Sequence, residues 1–261
     1  GHFLRNTIRQ FAAFRRIGFG IRTGPSEKEI ALRLGRGPSP RRSPECFRGA
    51  GGPSHPEGFR LKVSGDEIEI LARDERGLAH GLFYLERMME LRGAPILPFL
   101  QSSIIPRFDL RLHCDVWGGY TVTPRWLDVP HRQETFLLMA RHGLNAVQLR
   151  GKLSDFFHDS RYPEISNPQW KRNLAQLRRL VAQAGGCGLQ IILHADNFRL
   201  PPDHPLFKRK PKLKGAPIFT GVICPICTSG QEGLDLIADG WARVFRETPG
   251  LGGMIAIVGG E

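Results

Sequence analysis

The chain has 261 residues, 41% of them hydrophobic, so it is long enough to bury one large core or two smaller ones. Its net charge of +12 is concentrated in two segments: residues 1–60 carry 12 Lys and Arg against 4 Asp and Glu, and residues 208–214 add five cations. Neither segment interleaves aromatic residues with its cations, which argues against nucleic acid as a partner. No run of about 18 apolar residues occurs, which argues against a membrane span.

Cysteine usage indicates a chain without a disulfide framework or a metal site. The five cysteines are too few and too unevenly spaced for a disulfide-stabilised fold. Cys224 and Cys227 have CxxC spacing, but no second CxxC or close histidine pair completes a zinc site. We therefore expect no metal and no cofactor. Because residues 1–21 lack the apolar core of a secretory signal, the sequence favours a reducing, cytoplasmic location.

The first segment of the chain is basic and poor in periodic pattern. Residues 1–56 are rich in Arg, Gly and Pro, a composition typical of loops and unstructured chain. Within it, residues 29–34 alternate apolar and polar side chains as a strand does. We therefore predict a partly disordered segment, in which residues 29–34 could add a strand to the domain that follows.

Residues 57–104 are predicted to form a small α+β domain. Phe59–Val63 and Ile68–Leu71 alternate apolar and polar residues on either side of a short turn, which is the pattern of a β-hairpin. Asp74 then lies where it can cap a helix, whose apolar stripe runs to about Arg92. Two strands followed by a packed helix make a compact accessory domain.

Strand-like and helix-like segments alternate over residues 105–261. The predicted strands are Leu110–Val116, Ala146–Leu149, Leu189–Leu193 and Met254–Val258, and the predicted helices are Gln133–His142, Gln169–Ala184 and Gly233–Phe245. This alternation predicts parallel strands joined by crossover helices, in an open doubly wound sheet or in a barrel. No glycine-rich phosphate-binding motif follows the first strand, which argues against a doubly wound sheet that binds a nucleotide.

We therefore predict an α/β fold, in which the small α+β domain precedes the first four strand–helix units of a TIM-type (β/α) barrel, truncated after the fourth strand. A half barrel leaves an open sheet edge and an uncovered apolar face. We expect such a fragment to be marginally stable, to oligomerise or aggregate, and to be inactive by itself.

Polar residues cluster where these strands end, which is the face on which (β/α) barrels carry their active sites. The candidates are Asp115 and Trp117 after the first strand, Arg150 after the second, His194 and Asp196 after the third, and Glu261 after the fourth. Carboxylates and aromatic rings at such positions suit the binding and hydrolysis of sugars. Asp115 could equally belong to a satisfied buried pair, and Trp117 to the core.

Two segments carry a resemblance to a known family. Glu57–Val63 and Asp74–Leu85 resemble the small domain that precedes the barrel in β-N-acetylhexosaminidases of glycoside hydrolase family 20, and related domains precede the barrel in α-glucuronidases. Pro106–Phe108 followed by Arg111 is similar to the entry into that family's first barrel strand. The resemblance covers about residues 57–261 and implies hydrolysis of glycosidic bonds.

The resemblance also implies roles for single residues. Glu261 matches the general acid of the family's Gly-Gly-Asp-Glu motif, and Asp196 matches its third-strand aspartate. Arg111 matches the arginine that holds sugar hydroxyls, with an ion pair under the barrel floor as the alternative. The chain departs from the family in having His194 in place of a glutamate and Arg150 in place of a histidine, and in lacking an aspartate directly before Glu261.

That missing aspartate changes the expected chemistry. In the family it orients the substrate's acetamido group, which replaces an enzyme nucleophile. Without it, a plain pair of carboxylates as in glucuronidase-like barrels becomes the better prediction, with Glu261 as the acid. The sequence thus predicts a hexosaminidase- or glucuronidase-like hydrolase with a carbohydrate substrate. The alternative is a non-catalytic carbohydrate-binding or degenerate barrel module, which the loss of acidic residues at two strand ends favours.

Overall fold

The computed structural model describes residues 19–23, 30–35, 55–64, 67–93, 97–113, 132–218 and 220–256. The chain forms two compact units. Unit 1 contains the described residues up to Arg111 together with Leu137–Leu144 and Gly186–Gly188, and unit 2 contains the others. In the part of the chain that the structure describes, no helix has the length and apolar character needed to cross a membrane.

Unit 1 is built on an antiparallel sheet with the strand order β1-β2-β4-β3-β5. The strands are β1 (Phe19–Thr23), β2 (Ile30–Gly35), β3 (Phe59–Val63), β4 (Glu67–Ala72) and β5 (Leu100–Ile104). The predicted hairpin is confirmed, with Leu61 opposite Ile70. The predicted strand near residues 29–34 is confirmed as β2, whereas β1 and β5 were missed because glycines and prolines surround them.

Helix α1 (Glu75–Leu91) forms the helical layer of unit 1. The predicted cap is confirmed, since the Asp74 side chain accepts a hydrogen bond of 2.8 Å from the backbone N–H of Gly77. Residues at helical spacing on α1 are buried against side chains of β3 and β4. The core of unit 1 comprises Phe59, Leu61, Val63, Ile70, Ala72, Leu78, Leu82, Leu85 and Met89.

Unit 2 is built on a parallel sheet with the strand order β11-β8-β7-β6. These strands are β6 (Leu112–His113), β7 (Ala146–Lys152), β8 (Gln190–Asp196) and β11 (Gly253–Ala256), and a short antiparallel ribbon pairs β9 (Arg199–Leu200) with β10 (Cys224–Pro225). Among the described residues, each parallel strand pairs with the next parallel strand along the chain, so the strand order does not reverse, as in a barrel.

The helices of the barrel region confirm the predicted alternation. They are α2 (Arg132–Arg141), α3 (Leu153–Phe156), α4 (Trp170–Gly185), α5 (Pro205–Arg209) and α6 (Gln231–Glu247), with 3-10 turns at Pro163–Ile165 and Pro211–Leu213. Helix α2 ends two residues before Gly143, whose positive φ of 81° lets the N–H of Leu144 donate to the carbonyl of Met139. The fold is therefore a small α+β domain followed by a partial (β/α) TIM-type barrel.

Two strands are longer than the sequence predicts. The apolar runs end at Leu149 and Leu193, but hydrogen-bonded pairing continues to Lys152 on β7 and Asp196 on β8. Backbone pairing does not require apolar side chains, so the ladder extends into the polar residues that follow each run. The consequence is that the predicted polar strand ends belong to the sheet itself.

Candidate active site

The carboxyl ends of β7 and β8 bring three of the predicted site residues together. Arg150 pairs in register with His194, and Lys152 pairs with Asp196. Because side chains alternate along a strand, these residues project to one face of the sheet. Leu149 lies on the opposite face, where it is buried. The sheet register thus forms a polar patch at the end where barrels carry their chemistry.

A buried carboxylate organises this patch. Asp196 is only 6% exposed, and its Oδ2 accepts a hydrogen bond of 3.0 Å from Nη2 of Arg150. Its Oδ1 accepts from Arg199, at 3.1 Å from Nε and 2.9 Å from Nη2. One carboxylate therefore holds two guanidinium groups, whose side chains are 40% and 34% exposed. Charge-assisted contacts of this kind fix the orientation of the planar groups.

This arrangement suits positioning better than proton transfer by Asp196. Both oxygens of Asp196 accept from arginines, so the carboxylate is engaged as an orienting group. The Nε of Arg150 is buried and has no hydrogen-bond partner among the described residues. A buried donor without a partner is costly, so an acceptor on a bound molecule would stabilise it. The patch can therefore bind hydroxyl or anionic oxygens through its guanidinium groups.

Arg111 lies elsewhere, in unit 1. Its Nε donates to the carbonyl of Gly143 at 2.7 Å and its Nη1 to the carbonyl of Phe108 at 2.7 Å. Its Nη2 forms an ion pair with the buried carboxylate of Glu57. Three donors of the Arg111 guanidinium are therefore engaged with residues of unit 1. Arg111 belongs to unit 1, whereas Arg150 and Asp196 belong to unit 2.

Three predicted site residues lie outside the described part of the chain. Asp115 and Trp117 follow the described end of β6 at His113, and Glu261 follows the described end of β11 at Ala256. Their roles stay predictions.

Sequence reasoning missed Arg199 and Asp155. Arg199 was not predicted because it lies three residues after the end of β8, and only the path of the chain after that strand brings its guanidinium to Asp196.

Asp155 lies on the short helix α3 directly after β7. Burial raises the pKa of its carboxyl, while the nearby Lys152 opposes the shift. A carboxyl with a raised pKa after a barrel strand is a candidate proton donor.

The two cysteines of the CxxC motif are free thiols in the described structure. Cys224 belongs to β10, and Ile226 bridges to Lys214, so the chain between the two cysteines is extended. Three extended residues separate α-carbons by about 10 Å, beyond the span of a disulfide. No group of three or more His, Cys, Asp or Glu among the described residues could hold a metal ion.

Comparison with known proteins agrees with this architecture. No family model and no curated protein matches the chain. Among solved structures, it is similar to the GH138 enzyme targeting pectin rhamnogalacturonan II, with a TM-score of 0.54, 16% identity, and coverage of 77% of this chain and 24% of that one. The chain has a glycoside hydrolase-like fold.

A second similar structure is the β-N-acetylhexosaminidase from Bacteroides fragilis NCTC 9343, with a TM-score of 0.46, 15% identity, and coverage of 74% of this chain and 41% of that one. The chain thus spans about a quarter of the length of the first neighbour and under half of the second. At 16% identity, the likeness to the first neighbour concerns the fold alone.

Proposed function

We propose that this chain is part of a protein that hydrolyses glycosidic bonds, with a sugar subsite at the carboxyl ends of β7 and β8. The observation that carries the proposal is the cluster in which Asp196 holds Arg150 and Arg199 at the end of a parallel barrel sheet. In (β/α) barrels this end carries the active site. The glycoside hydrolase-like fold supports a carbohydrate as the substrate.

The residues of the patch have distinct tasks in this proposal. Arg150 donates hydrogen bonds to sugar hydroxyls, and Asp196 keeps its guanidinium in place. His194, the register partner of Arg150, supplies an imidazole that can donate to one hydroxyl and accept from another. Asp115 and Trp117 extend the subsite, with the indole ring as a stacking surface for a sugar face.

Bond cleavage needs a proton donor for the leaving oxygen and a second carboxylate. We assign the first task to Glu261, which follows β11 in the chain as the other candidates follow their strands. A hexosaminidase- or glucuronidase-like specificity follows from the sequence resemblance. Arg111 is assigned to the fold of unit 1, because its donors contact Glu57 and backbone carbonyls.

A second candidate function is carbohydrate binding without turnover. It is favoured by the engagement of both Asp196 oxygens with arginines, which makes this carboxylate a poor base or nucleophile. The two functions differ in one measurable property, since a binding module retains sugar affinity and hydrolyses nothing.

The test uses the full-length natural protein, assayed with aryl glycosides that include β-N-acetylhexosaminides and glucuronides, together with calorimetric titration of the same sugars. Glu261→Gln is expected to lower kcat by about 10²–10⁴-fold with sugar affinity retained. Arg150→Gln is expected to raise KM by about tenfold, since it removes charge-assisted hydrogen bonds. The exposed Asp203→Asn serves as the control.

Each outcome decides between the candidates. Hydrolysis that is unchanged in Glu261→Gln would remove that residue from the mechanism. Sugar binding without hydrolysis by the parent protein would establish the binding module. Sugar affinity that is the same in Arg150→Gln and Asp203→Asn would show that the patch is not a sugar subsite.

A further inference from the structure

Unit 1 contains a cavity of about 290 Å³ that the proposed glycosidase site does not use. One wall is a stripe of α1, where His80, Phe83, Tyr84 and Arg87 follow at helical spacing. Strand residues and the segment Ala140–Gly143 form the other walls. A space of this size is close to the lower limit of ordinary small-molecule sites.

The walls combine aromatic surface with positive charge. Phe59 and Tyr84 pack with their ring centroids 5.8 Å apart and present apolar area to the cavity. The lining includes three arginines and one carboxylate, that of Glu57. Both oxygens of Glu57 are engaged, Oε1 with Arg76 at 3.2 Å and Oε2 with Arg111. The carboxylate is therefore neutralised within the wall, and an excess of positive charge faces the cavity.

Two of these arginines have donors available to a ligand. Arg87 is exposed and forms no ion pair with a carboxylate of the described residues. Arg141 contacts Glu86 through Nε and Nη2, at 3.3 and 3.4 Å, which are long contacts. Both Arg87 and Arg141 line the cavity, so an anion bound there could accept hydrogen bonds from their guanidinium groups.

We propose that this cavity binds a small organic carboxylate with an apolar or aromatic body. The anionic end pairs with Arg87 and Arg141, and the body lies against Phe83 and Tyr84. The neutral imidazole of His80 adds a hydrogen bond. Neither basic side chains alone nor aromatic surface alone would select this class of ligand, whereas their combination in one cavity does.

The test is a ¹⁹F NMR titration of the full chain with 4-fluorobenzoate and with its uncharged counterpart 4-fluorobenzamide. We expect fluorobenzoate to bind with a dissociation constant on the order of millimolar, and about tenfold more tightly than fluorobenzamide. Arg87→Gln is expected to weaken fluorobenzoate binding by about three- to tenfold and to leave fluorobenzamide binding unchanged. The control is Arg92→Gln, on an exposed residue that follows α1 and does not line the cavity.

A cavity-filling variant, Ile104→Phe, separates binding in the cavity from binding to an arginine at the surface. We expect it to weaken both compounds. The proposal is overturned if the two compounds bind equally, if neither binds at about 10 mM, if Arg87→Gln matches Arg92→Gln, or if Ile104→Phe leaves both affinities unchanged. Because none of these variants touches the strand-end patch of unit 2, the outcome is independent of the proposed hydrolytic function.

Discussion

Replacing His80 by Gln is expected to remove a pH-dependent loss of stability from unit 1. Burial lowers the pKa of His80 from its ordinary value of 6.5 to about 4. The carboxylate of Glu57 opposes this shift, and the positive charges of Arg111 and Arg76 reinforce it. The folded unit therefore holds His80 neutral at pH values where an unfolded chain would protonate it.

The direction and size of the effect follow from proton linkage. Between pH 6.5 and about 4 the unfolded state binds a proton at His80 that the folded state does not, so stability falls as the pH falls through this window. One pKa unit corresponds to about 1.4 kcal/mol. Lowering the pH from about 7 to about 4.5 is therefore expected to destabilise unit 1 by about 2 kcal/mol through His80.

Hydrogen exchange of the α1 amides, measured by mass spectrometry and corrected for intrinsic exchange rates, reports this local stability. The parent, His80→Gln and the exposed control His142→Gln are compared at both pH values. We expect the pH-dependent loss to be about 2 kcal/mol smaller in His80→Gln than in the other two. The carboxylates that titrate in this pH range are the same in all three proteins and contribute equally to the loss. An equal loss in all three would therefore refute the assignment of a buried, neutral His80.

Three further substitutions test local features of the fold by urea unfolding. Asp74→Ala removes the cap of α1 and is expected to destabilise the chain by about 1 kcal/mol, whereas the exposed Asp203→Ala should have little effect; equal effects would exclude the cap. Gly233→Ala would place a Cβ against the carbonyl of Cys227 and is expected to destabilise by at least about 2 kcal/mol. Gly185→Ala adds a Cβ in open space and is expected to stabilise α4 by about 0.5 kcal/mol; a loss of stability there would contradict the packing described.

Much of the secondary structure was predictable because local patterns specify it. The hairpin of β3 and β4, the Asp74 cap and the alternation of strands and helices each depend on residues close in the chain. Strands β1 and β5 were not predictable in the same way, because they are held by pairing with β2 and β3, and glycines and prolines interrupt the surrounding sequence. Edge strands of this kind depend on the neighbouring strand for their order.

The sequence by itself determined which residue types follow each strand, and so predicted a polar patch at Arg150, His194 and Asp196. Only the tertiary structure decided which of them meet, because the register of β7 against β8 sets their distances. It also brought Arg199 onto Asp196 and placed Arg111 on Glu57, 54 residues away in the chain. The periodicity of apolar residues is a local property of the chain. Pairing between charged side chains depends on which distant segments the fold brings together, and the packing of the whole unit decides that.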